Sequence, residues 1–304
     1  MHTTIDAAVL GGDRRFRILA GLLAADGHRV RISQCAMPDG DTKDGLTVCG
    51  SPRDAAESAQ AVVLPLPVLG TDGRLNAPGA ESSAARADAY ALLAQLPRGC
   101  VVCGGMAPPD YGLAAARHGL RLVDYCARED FAVANCVPTA EGAVEIALRE
   151  LPVTLHGSEV LVLGWGRLGR TLGMRLAALG AHVTAAARRP GARADIAACG
   201  LAPADTAGLA KEGNGILSRA AVIFNTVPWP VLGWEELSAM RPDALYIELA
   251  SAPGGLDADA AACTALRVIR APGLPGRCAP VTAAAILRDT LYNIWREQGV
   301  LRDA

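Results

Sequence analysis

The residues of this chain best suited to chemistry are three glycines. Gly164, Gly166 and Gly169 form GxGxxG inside "VLVLGWGRLGRTLGMRLAALGAHVTAAARRP", Val160 to Pro190, directly after an apolar run. Each has its own physical task. Gly164 makes the tight turn, Gly166 leaves the backbone bare for a pyrophosphate, and Gly169 lets the next helix lie close to the sheet. The helix amides and dipole then face the anion. Trp165, Arg167 and Leu168 fill the positions between and belong to the same cofactor turn. A lone GxGxxG is weak, but the context it needs is present: a strand before, a helical run after, Gly180 as the stop, and a second strand from His182 to Ala187. The alternative is a tight turn with no ligand.

About 20 residues beyond such a turn, an acid bonds the adenosine ribose and favours NAD. Residues 183–190 hold no acid, and Asp195 is the first. Instead Arg188 and Arg189 follow Ala187. A guanidinium there can pair with a 2′-phosphate, so the expected cofactor is NADP(H). Two solvated arginines at a strand end are the alternative. Ligands of open α/β sheets lie beyond the carboxyl ends of strands. That puts Asn225, Thr226, Val227 and Pro228, ending "VIFNTVP", beside the cofactor, and with them Leu249, Ala250 and Ser251 of "ELAS". "APGLPGR", Ala271 to Arg277, reads as a loop after the next strand. Its Gly273 and Gly276 let backbone amides approach a ligand, and Arg277 suits a carboxylate. "VLGGDRR", Val9 to Arg15, also follows a strand but is not GxGxxG. Asp13 reads there as a helix cap. Arg14 and Arg15 either face an interdomain cleft or are solvated.

These residues need a scaffold that ends several strands at one edge. Strand and helix patterns alternate throughout, which implies parallel sheets covered on both faces. The first half reads as a five-stranded sheet: strands at "DAAVLGGD", "HRVRIS", "AQAVVLPLP", "GCVVCGG" and "LRLVDY". A polar loop runs through about Arg53, and "ESSAARADAYALLAQL" reads as a helix. The second half repeats the plan, with a short apolar piece near Leu201. The expected class is therefore α/β, two Rossmann-like doubly wound parallel-sheet domains with an interdomain cleft. The boundaries are 1–137, a connecting helix over 138–152, a cofactor domain over 153–278, and a last helix over 279–304. Ile286, Leu287, Leu291, Ile294 and Trp295 form one stripe on that helix, so it packs on something, with the first domain as the expected support.

Composition narrows the chemistry. A net charge of −2 over 304 residues argues against nucleic acid as partner. Apolar runs are broken by Gly, Pro or Arg and fall short of the ~20 residues of a membrane span. "MHTTIDAAVLGGD" has no basic leader and reads as a strand rather than a signal peptide. Nine scattered cysteines read as buried thiols in a reducing compartment. Cys100 and Cys103 form CxxC on a strand, where residues three apart face opposite sides, so no metal site is expected. A lactate-type relay needs a histidine late in the chain, but none follows His182. GxSxG, HExxH and the P-loop are absent.

"VLGGDRR", "NCVPTAEGAVEIAL" (Asn135 to Leu148), the glycine-turn segment, "FNTVP", "ELASAPGG" and "APGLPGRCAPVTAA" occur in this order. Together they resemble the bacterial dipicolinate synthase A-subunit family over nearly the whole chain, most weakly from Gln34 to Ala80. The resemblance implies oxidation of dihydrodipicolinate to dipicolinate, pyridine-2,6-dicarboxylate, with NADP. It also implies a partner, the flavoprotein-like B-subunit of dipicolinate synthase, and a place in the cytoplasm of the mother cell of a sporulating bacterium; a homo-oligomer is left open. A dianionic substrate asks for arginines, and the candidates are Arg14, Arg15 and Arg277, with Thr139, Gly273 and Gly276 helping. Glu141 and Asp130 are the candidate proton acceptors, against the plainer readings of a first-turn helix acid and a loop carboxylate. The competing functions are an alanine dehydrogenase-like or methylenetetrahydrofolate dehydrogenase-like enzyme, or a silent cofactor-binding subunit that regulates a partner.

Overall fold

A computed structural model describes residues 3–35, 45–80, 82, 84–210 and 215–302. In chain order the first stretch holds β1 (Asp6–Leu10), α1 (Arg14–Ala25), β2 (Arg29–Ser33), β3 (Leu46–Val48), α2 (Pro52–Ala56), β4 (Ala61–Val63), α3 (Ala89–Leu93), β5 (Val101–Gly104), α4 (Pro109–Arg117), β6 (Arg121–Asp124) and α5 (Glu129–Ala134). Then come α6 (Cys136–Glu150), β7 (Glu159–Leu163), α7 (Arg167–Ala178), β8 (His182–Ala186), α8 (Pro190–Ala198), β9 (Ala202–Ala204), α9 (Ile216–Arg219), β10 (Val222–Asn225), α10 (Trp234–Ala239), β11 (Leu245–Glu248), α11 (Ala258–Ala262), β12 (Arg267–Arg270), α12 (Leu274–Cys278) and α13 (Pro280–Glu297). The chain divides into two compact units: residues 1–135 with 279–304, and residues 136–278.

Each unit is one six-stranded parallel sheet, ordered β3-β2-β1-β4-β5-β6 in the first and β12-β11-β10-β7-β8-β9 in the second. The order reverses at β1/β4 and at β7/β10, and ligand crevices of such sheets form at these reversals. The strands are near-continuous apolar runs because both faces are covered; β7 and β10 are buried almost throughout. Cys100 and Cys103 enter different cores, on opposite faces of the first sheet, so they cannot share a metal. α1 buries Phe16, Leu19, Ala20 and Leu23 along one stripe. α13 lays Leu287, Leu291, Ile294 and Trp295 into the same core.

Four local expectations are corrected. The first sheet has six strands rather than five, because Leu46–Val48 pairs with Val30–Ile32 at the edge. That strand is short and mostly exposed, so it leaves no hydrophobic signal; part of the expected loop around it lies outside the described residues. The helix expected across "ESSAARADAYALLAQL" is confined to Ala89–Leu93, because Asp88 caps it there by accepting from Tyr90 and Ala91 amides; Glu81 and Ser83 lie outside the described residues. α6 starts at Cys136, which puts Glu141 beyond its first turn. "APGLPGR" is not all loop, since Leu274–Cys278 closes into a helical turn. The stretch 129–150 reaches the length and mean hydropathy (1.2) of a bilayer span, yet its Ala140, Ala143, Ile146 and Ala147 are packed into the second unit's core.

Candidate functional site

The GxGxxG turn leaves β7, between β8 and β10, at the second sheet's reversal. Gly164 has φ +94°, and a Cβ there would meet Thr226 Oγ1 at 2.4 Å. Thr226 Oγ1 itself donates to the Leu163 carbonyl at 2.8 Å, so the two strand ends interlock. A Cβ on Gly169 would meet the Gly164 carbonyl oxygen at 2.1 Å, which is why α7 can approach the turn only with glycine there. Gly166 differs from both. A Cβ at Gly166 would meet nothing within 4 Å. Gly166 is also the N-cap of α7, with no side-chain cap and no acid in the first turn. The positive end of a twelve-residue helix is thus left uncapped beside open space. A pyrophosphate fits that arrangement without displacing a protein group.

The residues around the turn divide by what they touch. Trp165 donates from Nε1 to Asp195 Oδ2 at 2.7 Å, and its ring fills the space a side chain at Gly173 would need. Asp195, the first acid past β8, also lies 3.7 Å from Arg170. Leu168 packs on the core and Arg167 is exposed. Ala187 is buried, whereas Arg188 and Arg189 are exposed and form no ion pair among the described residues. Their neighbour Arg193 behaves otherwise. It pairs with Asp205 at 2.7 Å and donates to the Ala187 and Arg188 carbonyls at 3.0 and 2.9 Å. The strand end is therefore fixed while two guanidinium groups beside it stay unpaired.

The ends of β10 and β11 show a group that sequence reasoning missed. Glu248 is only 5% exposed. Its Oε1 accepts from Asn225 Nδ2 at 2.7 Å and from the Ala250 amide at 2.9 Å; its Oε2 accepts from the Gly255 amide at 2.8 Å and Tyr246 hydroxyl at 3.2 Å. Burial and the Glu248 charge push the Tyr246 phenol well up, so it stays a donor. Asn225 completes the knot by donating to the Val227 carbonyl and accepting from its amide. The Asn225 side chain is buried and positions the strand ends. Thr226, Val227, Leu249 and Ala250 are half-buried, and Pro228 and Ser251 are exposed, at the rim that this knot holds. The only signal in the sequence was an acid ending an otherwise apolar strand.

α6 brings another group together within the second unit. It packs on α12 so closely that a side chain at Gly142 would meet Cys278 Sγ at 2.9 Å. Thr139 is half-buried on this helix. Glu141 is exposed, 3.8 Å from Arg175 of α7. Gly273 has φ +67° with open space beside it, Gly276 lies within α12, and Arg277 is exposed with no ion pair among the described residues.

In the first unit the corresponding turn is closed. Asp13 caps α1 by accepting from the Arg15 amide at 3.0 Å. The Arg15 guanidinium grips the same carboxylate at 3.0 and 2.8 Å and is buried. Arg15 is therefore not a free anion ligand, whereas Arg14 is exposed. The Gly12 amide donates to the Asn76 carbonyl at 2.8 Å. Asp130 is also engaged: it accepts from Arg128, from Asn293 at 3.0 Å and from the Phe131 amide at 2.9 Å. The Arg128 guanidinium holds its carboxyl down at about 2, so in this arrangement Asp130 is a weak proton acceptor near neutrality. No group of three or more potential metal ligands occurs among the described residues.

Comparison with known proteins follows the same division. Residues 6–126 match the N-terminal domain of the dipicolinate synthase A-subunit, and residues 136–268 match the D-isomer specific 2-hydroxyacid dehydrogenase, NAD binding domain. The chain is 32% identical over 298 residues to the dipicolinate synthase A-subunit of Bacillus subtilis (strain 168), covering 98% of each. The crystal structure of the Bacillus subtilis dipicolinate synthase A chain superposes with TM-score 0.83 at 32% identity, covering 98% of this chain and 97% of that one. That of the Bacillus halodurans A-subunit gives 0.83 at 29%, covering 95% and 96%. A transhydrogenase from Sinorhizobium meliloti shares the fold, with TM-score 0.66 at 17% identity over 96% and 94% of the two chains.

Proposed function

The chain belongs to the dipicolinate synthase A-subunit family and carries a dehydrogenase-type nicotinamide-cofactor domain, and from that premise we propose that it oxidises dihydrodipicolinate to dipicolinate with NADP. The observation that carries the cofactor half of this reading is the uncapped, unobstructed N-terminus of α7 at Gly166, with unpaired Arg188 and Arg189 at the end of the adjacent strand. The turn amides take the pyrophosphate, and the two guanidinium groups take the 2′-phosphate. When bound, the cofactor held by the Gly164–Gly169 turn would supply the acceptor for a hydride from a ring carbon of the substrate. A second ring hydrogen leaves as a proton, and the products are an aromatic pyridine, NADPH and H⁺.

Aromatisation supplies much of the driving force, so the protein's task is mainly orientation. Arg277, exposed and without an ion pair among the described residues, suits a substrate carboxylate, and the exposed Arg14 of the first unit is the other arginine put forward for that role. Thr139 and the backbone at Gly273 and Gly276 support the same group. Glu141 is the better proton acceptor of the two carboxylates considered, because Asp130 is held by Arg128. The reading extends to a partner, the flavoprotein-like B-subunit, and to the mother-cell cytoplasm.

Fluorescence titration of NADPH and NADH tests the cofactor assignment. NADPH binds more tightly, and Arg188→Ala removes most of the difference, roughly tenfold or more for one charge-assisted contact of about 1.5–3 kcal/mol. Equal affinities in the unmodified protein overturn the assignment. Formation of NADPH, followed by absorbance on adding dihydrodipicolinate, tests the reaction; reduction with alanine or folate substrates instead would favour the competing dehydrogenases.

A further inference from the structure

A basic hollow opens in the first unit at the edge where its parallel strands begin. Thr3 precedes β1, Gln60 precedes β4, Cys100 precedes β5 and Arg121 starts β6, so this edge is opposite the turn at Gly11–Asp13. The hollow holds about 480 Å³ and is lined by Arg98, Arg121 and Arg302 together with Thr3, Gln60 and Gln298. Among the described residues no Asp or Glu lines it. A second hollow of about 370 Å³ shares Arg98 and adds Arg117 and His118, again with no acid.

Several arginines without an acid partner converge on these two hollows. Elsewhere Arg29, Arg86, Arg128, Arg193 and Arg288 each pair with a carboxylate. Arg98, Arg117, Arg121 and Arg302 form no ion pair among the described residues. The nearby acid of β1, Asp6, is held by Arg29 at 2.5 Å. The cluster is also built rather than loose. Arg121 donates to the Gln298 carbonyl and side-chain oxygen at 3.3 and 3.2 Å, and to the Gly99 carbonyl at 3.4 Å. Those partners orient the guanidinium without neutralising it. Arg302 follows Leu301, which is 2% exposed, and its carbonyl accepts from both the Thr3 amide and hydroxyl.

Like charges around a concavity repel one another and focus a positive potential into it. Planar guanidinium forks match phosphate and carboxylate oxygens. The volume lies within the roughly 300–1,000 Å³ of small-molecule sites. We infer that this hollow binds a small polyanion carrying phosphate or carboxylate groups, at a site separate from the Gly166 turn. The inference does not depend on the cofactor assignment.

Calorimetric titration at fixed ionic strength, with inorganic pyrophosphate and with citrate as probes, tests it. At least one probe binds saturably at one site per chain. Pyrophosphate alone identifies a phosphate ligand, and citrate alone a carboxylate ligand. Arg98→Ala and Arg302→Ala, both at exposed positions, each weaken binding at least tenfold while circular dichroism and melting stay unchanged. Affinity is the same in Gly166→Ala, whose methyl occupies the pyrophosphate space of the second unit. Absence of saturable binding by either probe overturns the inference. So does loss of binding in Gly166→Ala, or binding unchanged in both first-unit variants.

Discussion

Alanine at Gly166 and alanine at Gly169 are the same chemical change three residues apart, and the structure assigns them opposite consequences. A methyl on Gly169 would lie 2.1 Å from the Gly164 carbonyl oxygen, where ordinary contact begins near 3.4 Å. Both partners are backbone, so α7 or the turn must move. Overpacking of this kind costs roughly 1–3 kcal/mol or more. A methyl on Gly166 meets nothing, and the backbone there (φ −86°, ψ −165°) suits any residue. The weaker N-cap costs about 0.5–1 kcal/mol, and the stiffer unfolded chain returns about 0.4–1 kcal/mol. Gly166→Ala therefore melts within a few degrees of the unmodified protein. Its methyl nevertheless occupies the space a pyrophosphate needs. Breaking one charge-assisted amide hydrogen bond costs about 1.5–3 kcal/mol, so NADPH binding falls roughly ten- to hundredfold. Urea unfolding paired with fluorescence titration reads both quantities on the same samples. The reasoning is refuted if Gly166→Ala binds NADPH as tightly as the unmodified protein, or unfolds as readily as Gly169→Ala.

Glu248→Gln replaces one acceptor oxygen with an amide donor facing the Gly255 or Ala250 amide, and urea unfolding should show a loss of about 1–3 kcal/mol; unchanged stability would show that the knot does not hold the strand ends. The Asp130 carboxyl, held at about 2 in the folded chain against 3.8 normally, binds its proton less readily when folded, so its contribution is complete above pH 3.8 and lost as pH falls through 2. Asp130→Asn accordingly lowers the melting temperature at neutral pH, and the gap narrows across that acid window; a constant gap would refute the ion pair. Since only one of the two βα turns is open, NADPH should saturate at one molecule per chain in calorimetry, and a second equivalent site would contradict the closure at Asp13.

The scaffold was legible where chemistry and periodicity coincided. Apolar runs of both halves became parallel strands because their burial on two faces demands uninterrupted hydrophobic residues, and Gly164 and Gly169 could be read because their roles are steric. What escaped was what depends on partners distant in sequence. Leu46–Val48 has no buried face and becomes a strand only by pairing with Val30–Ile32. Arg15 and Arg14 are identical neighbours, yet Asp13 claims one and leaves the other exposed. Asp130 looked like a free loop acid until Arg128 and Asn293 closed on it. Glu248 and Asn225 meet across adjacent strands, 23 residues apart, and nothing local marks them as partners.

The two sheets repeat one topology, and the difference in capability between them reduces to how each first βα turn disposes of its amides and charge. Both turns tie their first glycine amide to the next strand, Gly11 to Ser33 and Gly164 to Ala186, but in the first unit the Gly12 amide also donates to the Asn76 carbonyl and the Asp13 carboxylate caps α1. An incoming phosphate would find the helix end already occupied by the Asp13 carboxylate, itself held by the Arg15 guanidinium. In the second unit the equivalent helix begins on a glycine with no side chain to offer, and the same dipole stays unanswered by protein. Substituting one acid at this position reverses the electrostatics of a whole helix end, which is a smaller change than any alteration of fold. A pair of similar halves can thus divide labour, one holding the dinucleotide and the other released to hold something else, without either sheet departing from the common plan.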